Sequence, residues 1–284
     1  MAAVIDLHVH STYSDGTLSP EELIRLAEES GLKAIALCDH NTVAGLPRFL
    51  ASAEGSSVEA IPGIEFSTDY RGKELHVLAL FVKECHYDAI MEKVNSMLIQ
   101  KEKSNRDLVE ALTKAGLSLD YDAIKAGTPN GQVNRAVIAA EMVRQGYCPT
   151  VKDCFSQWLS PKRGYYKPPA RLDVFEVIAF IKSLGASAVL AHPFLNLEEG
   201  ELEEFLKAAV PCGLDAVETL YPKFTPEQRE RAREIAQANG LLISGGSDFH
   251  GENKPDIRLG TGRGDLAVPD SVLENLRKNI LVKL

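Results

Sequence analysis

Apolar and polar positions switch between two periods along this chain, and the switching predicts an alternation of strands and helices. Val4–His8 reads as a short buried strand. Ser19-Pro20-Glu21-Glu22 then opens a helix, with Ser19 as N-cap, Pro20 at the first helical position and Glu22 closing a capping box. Leu23, Ile24, Leu26 and Ala27 give its apolar face, and Gly31 ends it. Ala34–Cys38 is the next strand, followed by a short helix from Thr42 to Ala53. Val58–Ser67 and Glu74–Val82 read as two strands, and the short polar link Thr68–Lys73 makes an antiparallel hairpin the simplest connection.

From Tyr87 the pattern becomes long helical stretches, broken at Gly127–Gly131 and Ser160–Gly164. Residues 100–167 are expected to form a mostly helical insertion between a first part (1–99) and a second part (168–284). After Pro168-Pro169 the alternation returns, with helices at 171–184, 198–209 and 226–239 and strands at Ala188–Ala191, Ala216–Leu220 and Leu241–Ser244. A last helix begins near Pro269. Such strand–helix repetition argues for an α/β fold with a mostly parallel sheet. No internal repeat is visible.

Composition narrows the setting. A 284-residue chain that is 45% hydrophobic can bury one large core plus a smaller inserted unit. No segment has the length and apolarity of a membrane span, and the first residues lack the pattern of a signal peptide, so a cytoplasmic protein without a membrane partner is expected. The five cysteines are scattered, with no C-x-x-C pair, which argues against a disulfide framework or a zinc–thiolate site. The net charge of -9, with no run of Lys and Arg, argues against gripping duplex nucleic acid. A small anionic substrate or the end of a short single strand is easier to accommodate. No oligomeric state follows from the pattern.

The histidines carry the chemistry. Six of the seven lie at or near strand ends: His8 and His10 in D-L-H-V-H, His40 in C-D-H-N, His76 in E-L-H-V, His192 in A-H-P and His250 in G-S-D-F-H-G. Alternate residues of a strand share a face, so His8 with His10, and Asp248 with His250, can converge on one ion. The hairpin places Glu65 opposite or nearly opposite His76. Asp15, His40 and His192 also follow strands, at the end where parallel α/β folds collect their sites. Singly, a D-H-N or an A-H-P is most often a cap or a satisfied loop histidine. Jointly, six histidines and three carboxylates after strands point to a metal cluster. Imidazole and carboxylate without thiolate favour zinc, manganese or iron. So many donors imply two or three ions, which suit phosphoryl hydrolysis because clustered ions activate water and stabilise both attacking and leaving oxygens.

Other chemistries find no support. Cys38 packs as a strand residue rather than serving as a nucleophile, and neither G-x-S-x-G nor a Walker loop is present. Glu218 and Tyr221 end a strand, where pocket and core roles are both open, and Tyr221 is a further candidate for binding substrate. In the insertion, Arg135 beside Asn134, and Lys162-Arg163 near Tyr165 and Tyr166, are candidates for binding substrate phosphate. The insertion is then a lid over the metals.

These motifs resemble, in order, those of the polymerase and histidinol phosphatase (PHP) superfamily. The resemblance rests on D-L-H-V-H-S-T-Y-S-D-G-T-L-S-P, I-A-L-C-D-H-N-T, I-P-G-I-E-F-S, L-H-V-L, A-H-P and G-S-D-F-H-G. It implies a distorted (β/α)7 barrel and a trinuclear site of manganese first, with iron or zinc as alternatives. It implies one ion on His8, His10, Glu65 and Asp248, a second on bridging Glu65 with His76 and His192, and a third on Asp15, His40 and His250. Asp248, His250 and His192 are the candidates for proton transfer. The insertion is most similar to the TrpH/YciV-like branch, which implies a 3',5'-nucleoside bisphosphate phosphatase or a 5'-to-3' exoribonuclease on short RNA. Asn134-Arg135-Ala136-Val137 keeps that branch's arginine, with Val137 where a histidine is expected. Histidinol-phosphate phosphatase is the alternative enzyme, and a metal-binding accessory module for a polymerase the non-enzymatic one.

Overall fold

The computed structural model describes residues 4–283 apart from Pro129, Asn130, Gln132 and Ala170. The elements run β1 (Val4–Val9), α1 (Pro20–Glu29), β2 (Ala34–Leu37), α2 (Leu46–Ser52), β3 (Glu59–Tyr70) and β4 (Lys73–Leu80). Next come α3 (Tyr87–Lys114), α4 (Tyr121–Ala126), α5 (Arg135–Arg144) and α6 (Val151–Cys154). The chain ends with β5 (Leu172–Asp173), α7 (Val174–Ser183), β6 (Ser187–Leu190), α8 (Glu199–Cys212), β7 (Ala216–Leu220), α9 (Pro226–Ala238), β8 (Leu242–Gly245), β9 (Val268–Pro269) and α10 (Asp270–Lys283). It divides into two compact units, residues 1–91 with 172–284, and residues 92–171. No helix among the described residues is long and apolar enough to cross a membrane.

The first unit is a distorted α/β barrel. Its strands run in the order β8-β7-β6-β4-β3-β2-β1-β9, with β5 added on β3. The pairs β1–β2, β2–β3, β6–β7 and β7–β8 are parallel, but β4 runs antiparallel to both β3 and β6. The ring nearly closes just past β8, where Asp248 N–H donates to His8 O at 2.8 Å and His10 N–H donates to Phe249 O at 3.0 Å. Gly246 makes this closure possible, because a Cβ there would lie 2.4 Å from that of His8.

Local boundaries show why the elements fall where they do. The capping box at Ser19 forms as the sequence predicts. The helix expected from Thr42 starts later, at Leu46, because Asn41 takes a left-handed backbone (φ 54°) and the Thr42 hydroxyl accepts from Ala44 N–H. The hairpin is tighter than the link Thr68–Lys73 suggested. Tyr70 pairs with Lys73, leaving Arg71-Gly72 as a two-residue turn with φ of 54° and 81°, the geometry favoured by strand twist.

Ile5, Leu7, Ala36, Leu78, Val189 and Ala216 belong to the barrel core and are fully buried. Each large aliphatic side chain so buried contributes about 1.5–3 kcal/mol. The second unit is helical and has its own core, including Leu108, Leu112, Ile138, Met142, Cys154 and Leu159.

Candidate metal centre

Glu65 is the hub, and its two carboxylate oxygens face different partners. Oε1 lies 2.9 Å from His76 Nδ1 and 3.2 Å from His192 Nε2. Oε2 lies 3.3 Å from His8 Nε2, 3.2 Å from His10 Nε2 and 3.1 Å from His40 Nδ1. Strand alternation puts His8, on β1, and His10, one residue past its end, on one side, and β3 carries Glu65 into the same interior. The register pairs Ser67 with His76 and Glu65 with Leu78, so Glu65 and His76 meet diagonally across the hairpin rather than directly opposite.

Asp248 and Asp15 complete the set. Asp248 Oδ1 lies 3.4 Å from His10 Nε2, 3.8 Å from His8 Nε2 and 3.4 Å from His250 Nδ1. Asp15 Oδ1 lies 3.2 Å from His250 Nε2 and 3.7 Å from His10 Nδ1, and its Oδ2 lies 3.9 Å from His40 Nε2. All nine metal-ligand candidates of the sequence therefore gather in the barrel unit.

The donor set fits divalent ions. His8 Nε2, His10 Nε2, His40 Nδ1 and Glu65 Oε2 are buried and have no hydrogen-bond partner, although the three nitrogens stand 3.3, 3.2 and 3.1 Å from Glu65 Oε2. Leaving a buried polar atom unpaired costs about 1–3 kcal/mol. Three imidazole nitrogens unpaired around one carboxylate oxygen are accounted for by lone pairs aimed at cations bound among them. Three groups keep one donor atom per residue within 4.8 Å of each other: His8, His10 and Glu65; His10, Asp15, His40 and His250; and His40, Glu65 and His76. This grouping shares His10 and His40 between groups, where the resemblance used each once, and it has His40 rather than His192 beside His76.

The charges are set by the same crowding. Burial raises the Glu65 and Asp248 carboxyls, but the surrounding histidines, and for Asp248 also Lys254, hold both well below the usual carboxylate range. Burial likewise lowers His10 and His76, and neighbouring carboxylates more than reverse it, to about 9 and about 10. His8 is raised for the same reason. His40 goes the other way, to about 3, because burial, reinforced by His10 and His76, outweighs Glu65 and Asp15.

A second ring of side chains holds the donors in place. Glu218 Oε1 is 3.0 Å from His8 Nδ1, and its Oε2 accepts from His192 N–H at 2.8 Å. Glu74 stands 3.3 Å from His76 Nε2, on the side away from Glu65. The Tyr221 hydroxyl and Lys254 Nζ donate to Asp248 Oδ2 at 2.8 and 2.6 Å, which turns Oδ1 to the histidines. Asp39 accepts from Ser11 N–H and from the Ser11 and Ser14 hydroxyls. Asp6 accepts from Ser247 N–H, the Ser247 hydroxyl and Gly260 N–H, tying β1 to the loop after β8. Asn41, His192 and Asp248 all have positive φ, and each follows a strand (β2, β6 and β8). Strain of this kind, of order 1–3 kcal/mol per residue, collects where a site fixes the backbone.

From the sequence Glu218 and Tyr221 stood between pocket and core, and Asp6, Asp39 and Lys254 were missed. Alternation along D-L-H-V-H places Asp6 on the face of His8 and His10, so a signal was present. For Lys254 the only signal was its place four residues after His250. Cys38 is buried and its thiol pushed up by burial, as suits a strand interior.

The remaining substrate candidates lie in the helical unit. Asn134 is the N-cap of α5, its side chain accepting from Val137 N–H at 3.0 Å. The Arg135 guanidinium lies 4.3 Å over the Tyr166 ring and 5.5 Å from that of Phe155. Lys162 is exposed, and Arg163 Nε donates to Ser156 O at 2.7 Å. In front of the barrel centre is a cavity of about 260 Å³, bordered by His76, His192, Asp248, Tyr221, Lys223 and Lys254 among others.

Known proteins with similar sequences or folds match this picture. The family described as the PHP domain matches residues 6–164. A 5'-3' exoribonuclease of Haemophilus influenzae is 32% identical over 251 residues, covering 88% of this chain and 91% of that one. A 3',5'-nucleoside bisphosphate phosphatase of Chromobacterium violaceum is 26% identical over 259 residues, 90% of each chain. A crystal structure from Bifidobacterium adolescentis, described as a metal-dependent phosphoesterase, superposes with a TM-score of 0.84 at 28% identity over 97% of this chain and 96% of that one.

Proposed function

The chain belongs to the PHP domain family, and on that footing we propose that this metal-dependent phosphoesterase acts on nucleotide-like substrates, a nucleoside 3',5'-bisphosphate or a short single-stranded oligoribonucleotide. The observation that carries the proposal is the hub at Glu65, where buried, unpaired donor atoms converge beside an open cavity. The two relatives act, by their names, on substrates of these two kinds.

We assign two to three divalent ions, manganese first and iron or zinc as alternatives, because the donors are imidazole and carboxylate without thiolate. His8, His10, Glu65 and Asp248 would hold one, and Glu65 with His76 and His192 a second. Asp15, His40 and His250, with His10 close by, would hold a third. Ions so placed supply Lewis acidity toward the phosphoryl oxygens and lower the pKa of water. Asp248, His192 and His250 act in this reading through the ions they hold, since each presents its donor atom to the cluster. Tyr221 and Lys254 fix which oxygen of Asp248 faces inward. Glu218 fixes the His8 ring, the arrangement that orients metal-binding imidazoles. Arg135, Lys162 and Arg163 are proposed to bind substrate phosphate, and the helical unit to act in substrate recognition.

The test is phosphate release by manganese-reconstituted protein from adenosine 3',5'-bisphosphate, histidinol phosphate and a 5'-phosphorylated short RNA, with His8→Ala as control. Turnover of the bisphosphate or the RNA, lost in the variant, is the expected result. Preference for histidinol phosphate would replace the substrate assignment. No turnover of any ester by metal-loaded protein would refute the activity itself.

A further inference from the structure

The cavity before the metal centre has a second wall of opposite chemistry. The loop after β7 carries Lys223, the loop after β8 carries Lys254, and Asn196 stands with them on the cavity lining. Lys254 is committed to Asp248 Oδ2 at 2.6 Å, an oxygen it shares with the Tyr221 hydroxyl. No hydrogen bond or ion pair joins Lys223 to any described residue. The two ammonium groups are close enough that Lys254, after burial, pushes the Lys223 pKa down.

The charge balance of this wall depends on Asp248. Its Oδ1 faces the histidines, so ions held there would draw on the carboxylate that pairs with Lys254. Of the other carboxylates nearby, Glu65 and Glu74 are turned to His76 and Asp256 to Arg263, so Lys223 keeps no ion-pair partner of its own among the described residues. The lysines also differ in depth. Lys254 lies against a buried ligand, whereas Lys223 is exposed on the cavity lining and the hub of His8, His10 and Glu65 is fully buried. A phosphorus atom being attacked must sit at the hub. Lys223 is placed for another anionic group of the same molecule.

We propose that Lys223, backed by Lys254, forms a second anion subsite that takes a phosphate of the substrate other than the one hydrolysed, and so selects esters carrying two phosphates over those carrying one. The proposal rests on the phosphoesterase reading and adds to it the residue that sets substrate class. It involves no bond-making step. Its content is electrostatic complementarity at a partly desolvated rim, where a charge-assisted hydrogen bond changes affinity by about 10- to 100-fold.

The experiment compares Lys223→Ala and Lys223→Arg with the parent protein on adenosine 3',5'-bisphosphate and on p-nitrophenyl phosphate. Expected is a fall of about 10- to 100-fold in kcat/KM for the bisphosphate in Lys223→Ala. Lys223→Arg should largely restore it, and p-nitrophenyl phosphate hydrolysis should not move. An equal fall on both esters would assign Lys223 to the reacting phosphate and overturn the proposal. No change on either would make it a solvated lysine and overturn the proposal as well. Calorimetric titration of manganese-loaded protein with adenosine 3',5'-bisphosphate separates this from failure of the phosphoesterase reading. If the parent hydrolyses neither ester, that reading fails. A bisphosphate affinity that drops with Lys223→Ala then still upholds the subsite, and one that does not drop overturns it.

Discussion

In the helical unit, charges lie on the surface and pair within a turn of helix. Lys103 meets Asp107, Lys114 meets Glu110, and Arg144 meets Glu141. Exposed pairs of this kind are worth about 0–1 kcal/mol each, and every partner keeps its water. The metal centre of the barrel unit places its charges the other way. Glu65, His8 and His10 are fully buried, several of their polar atoms are unpaired, and three nearby residues have strained backbones. One region looks optimised for stability, while the other tolerates costs that stability alone would remove. Unsatisfied and strained groups concentrated in one place are where function should be sought.

The sharpest way to break this contrast is to remove the hub. Glu65→Ala takes a donor from two of the three candidate groups at once. It should lower kcat at least about 10³-fold and reduce bound metal by elemental analysis. A folded variant with full metal content and more than a tenth of the parent activity would show that Glu65 is a structural carboxylate.

Next in size is the residue behind the ligand. Glu218→Gln keeps the volume and weakens the hold on His8 Nδ1, so metal affinity should fall about 10- to 100-fold with the melting temperature little changed. A large loss of stability with unaltered metal affinity would make Glu218 part of the fold rather than of the site.

A gentler probe is pH. In the metal-free protein His10 and His76, at about 9 and about 10, carry protons at pH 7, while His40, at about 3, does not. Ligation needs neutral imidazole, so protons and ions compete for the same lone pairs. Binding at pH 7 should release about two or three protons, His8 being raised as well. Apparent affinity should rise with pH through the range of these histidines and flatten only above about 10. Calorimetry in two buffers of different ionisation enthalpy counts the protons. Zero release would mean the histidines are already neutral and their carboxylate partners do not hold them charged.

Legibility in the sequence followed the same division. The metal candidates could be read because strand alternation and strand ends leave a periodic mark, and D-L-H-V-H or G-S-D-F-H-G states chemistry and geometry together. Hairpin pairing made Glu65 beside His76 legible but not their diagonal register, which depends on a turn of only Arg71-Gly72. Glu218 stayed ambiguous because one carboxylate in a buried strand looks the same whether it packs or orients a ligand. Lys223 and Lys254 left little trace, since their closeness to Asp248 is made by loops with no period. In the helical unit no spacing carries chemistry, so the substrate residues there rested on residue type and resemblance.

Asn134 brings that last point to a decision, and its effect should be the smallest. Its place before R-A-V-I is an N-cap signal, and the structure has its side chain accepting from Val137 N–H. If capping is its whole role, Asn134→Ala should cost about 1 kcal/mol of stability in chemical denaturation and leave KM unchanged. Asn134→Asp should restore the stability, because a carboxylate caps as well as an amide and suits the positive end of the helix. If instead Asn134 donates to a substrate phosphate, the aspartate places a negative charge against it, and KM rises several-fold while stability holds. The two substitutions thus separate a residue that finishes a helix from one that reads a ligand, which residue type alone did not distinguish.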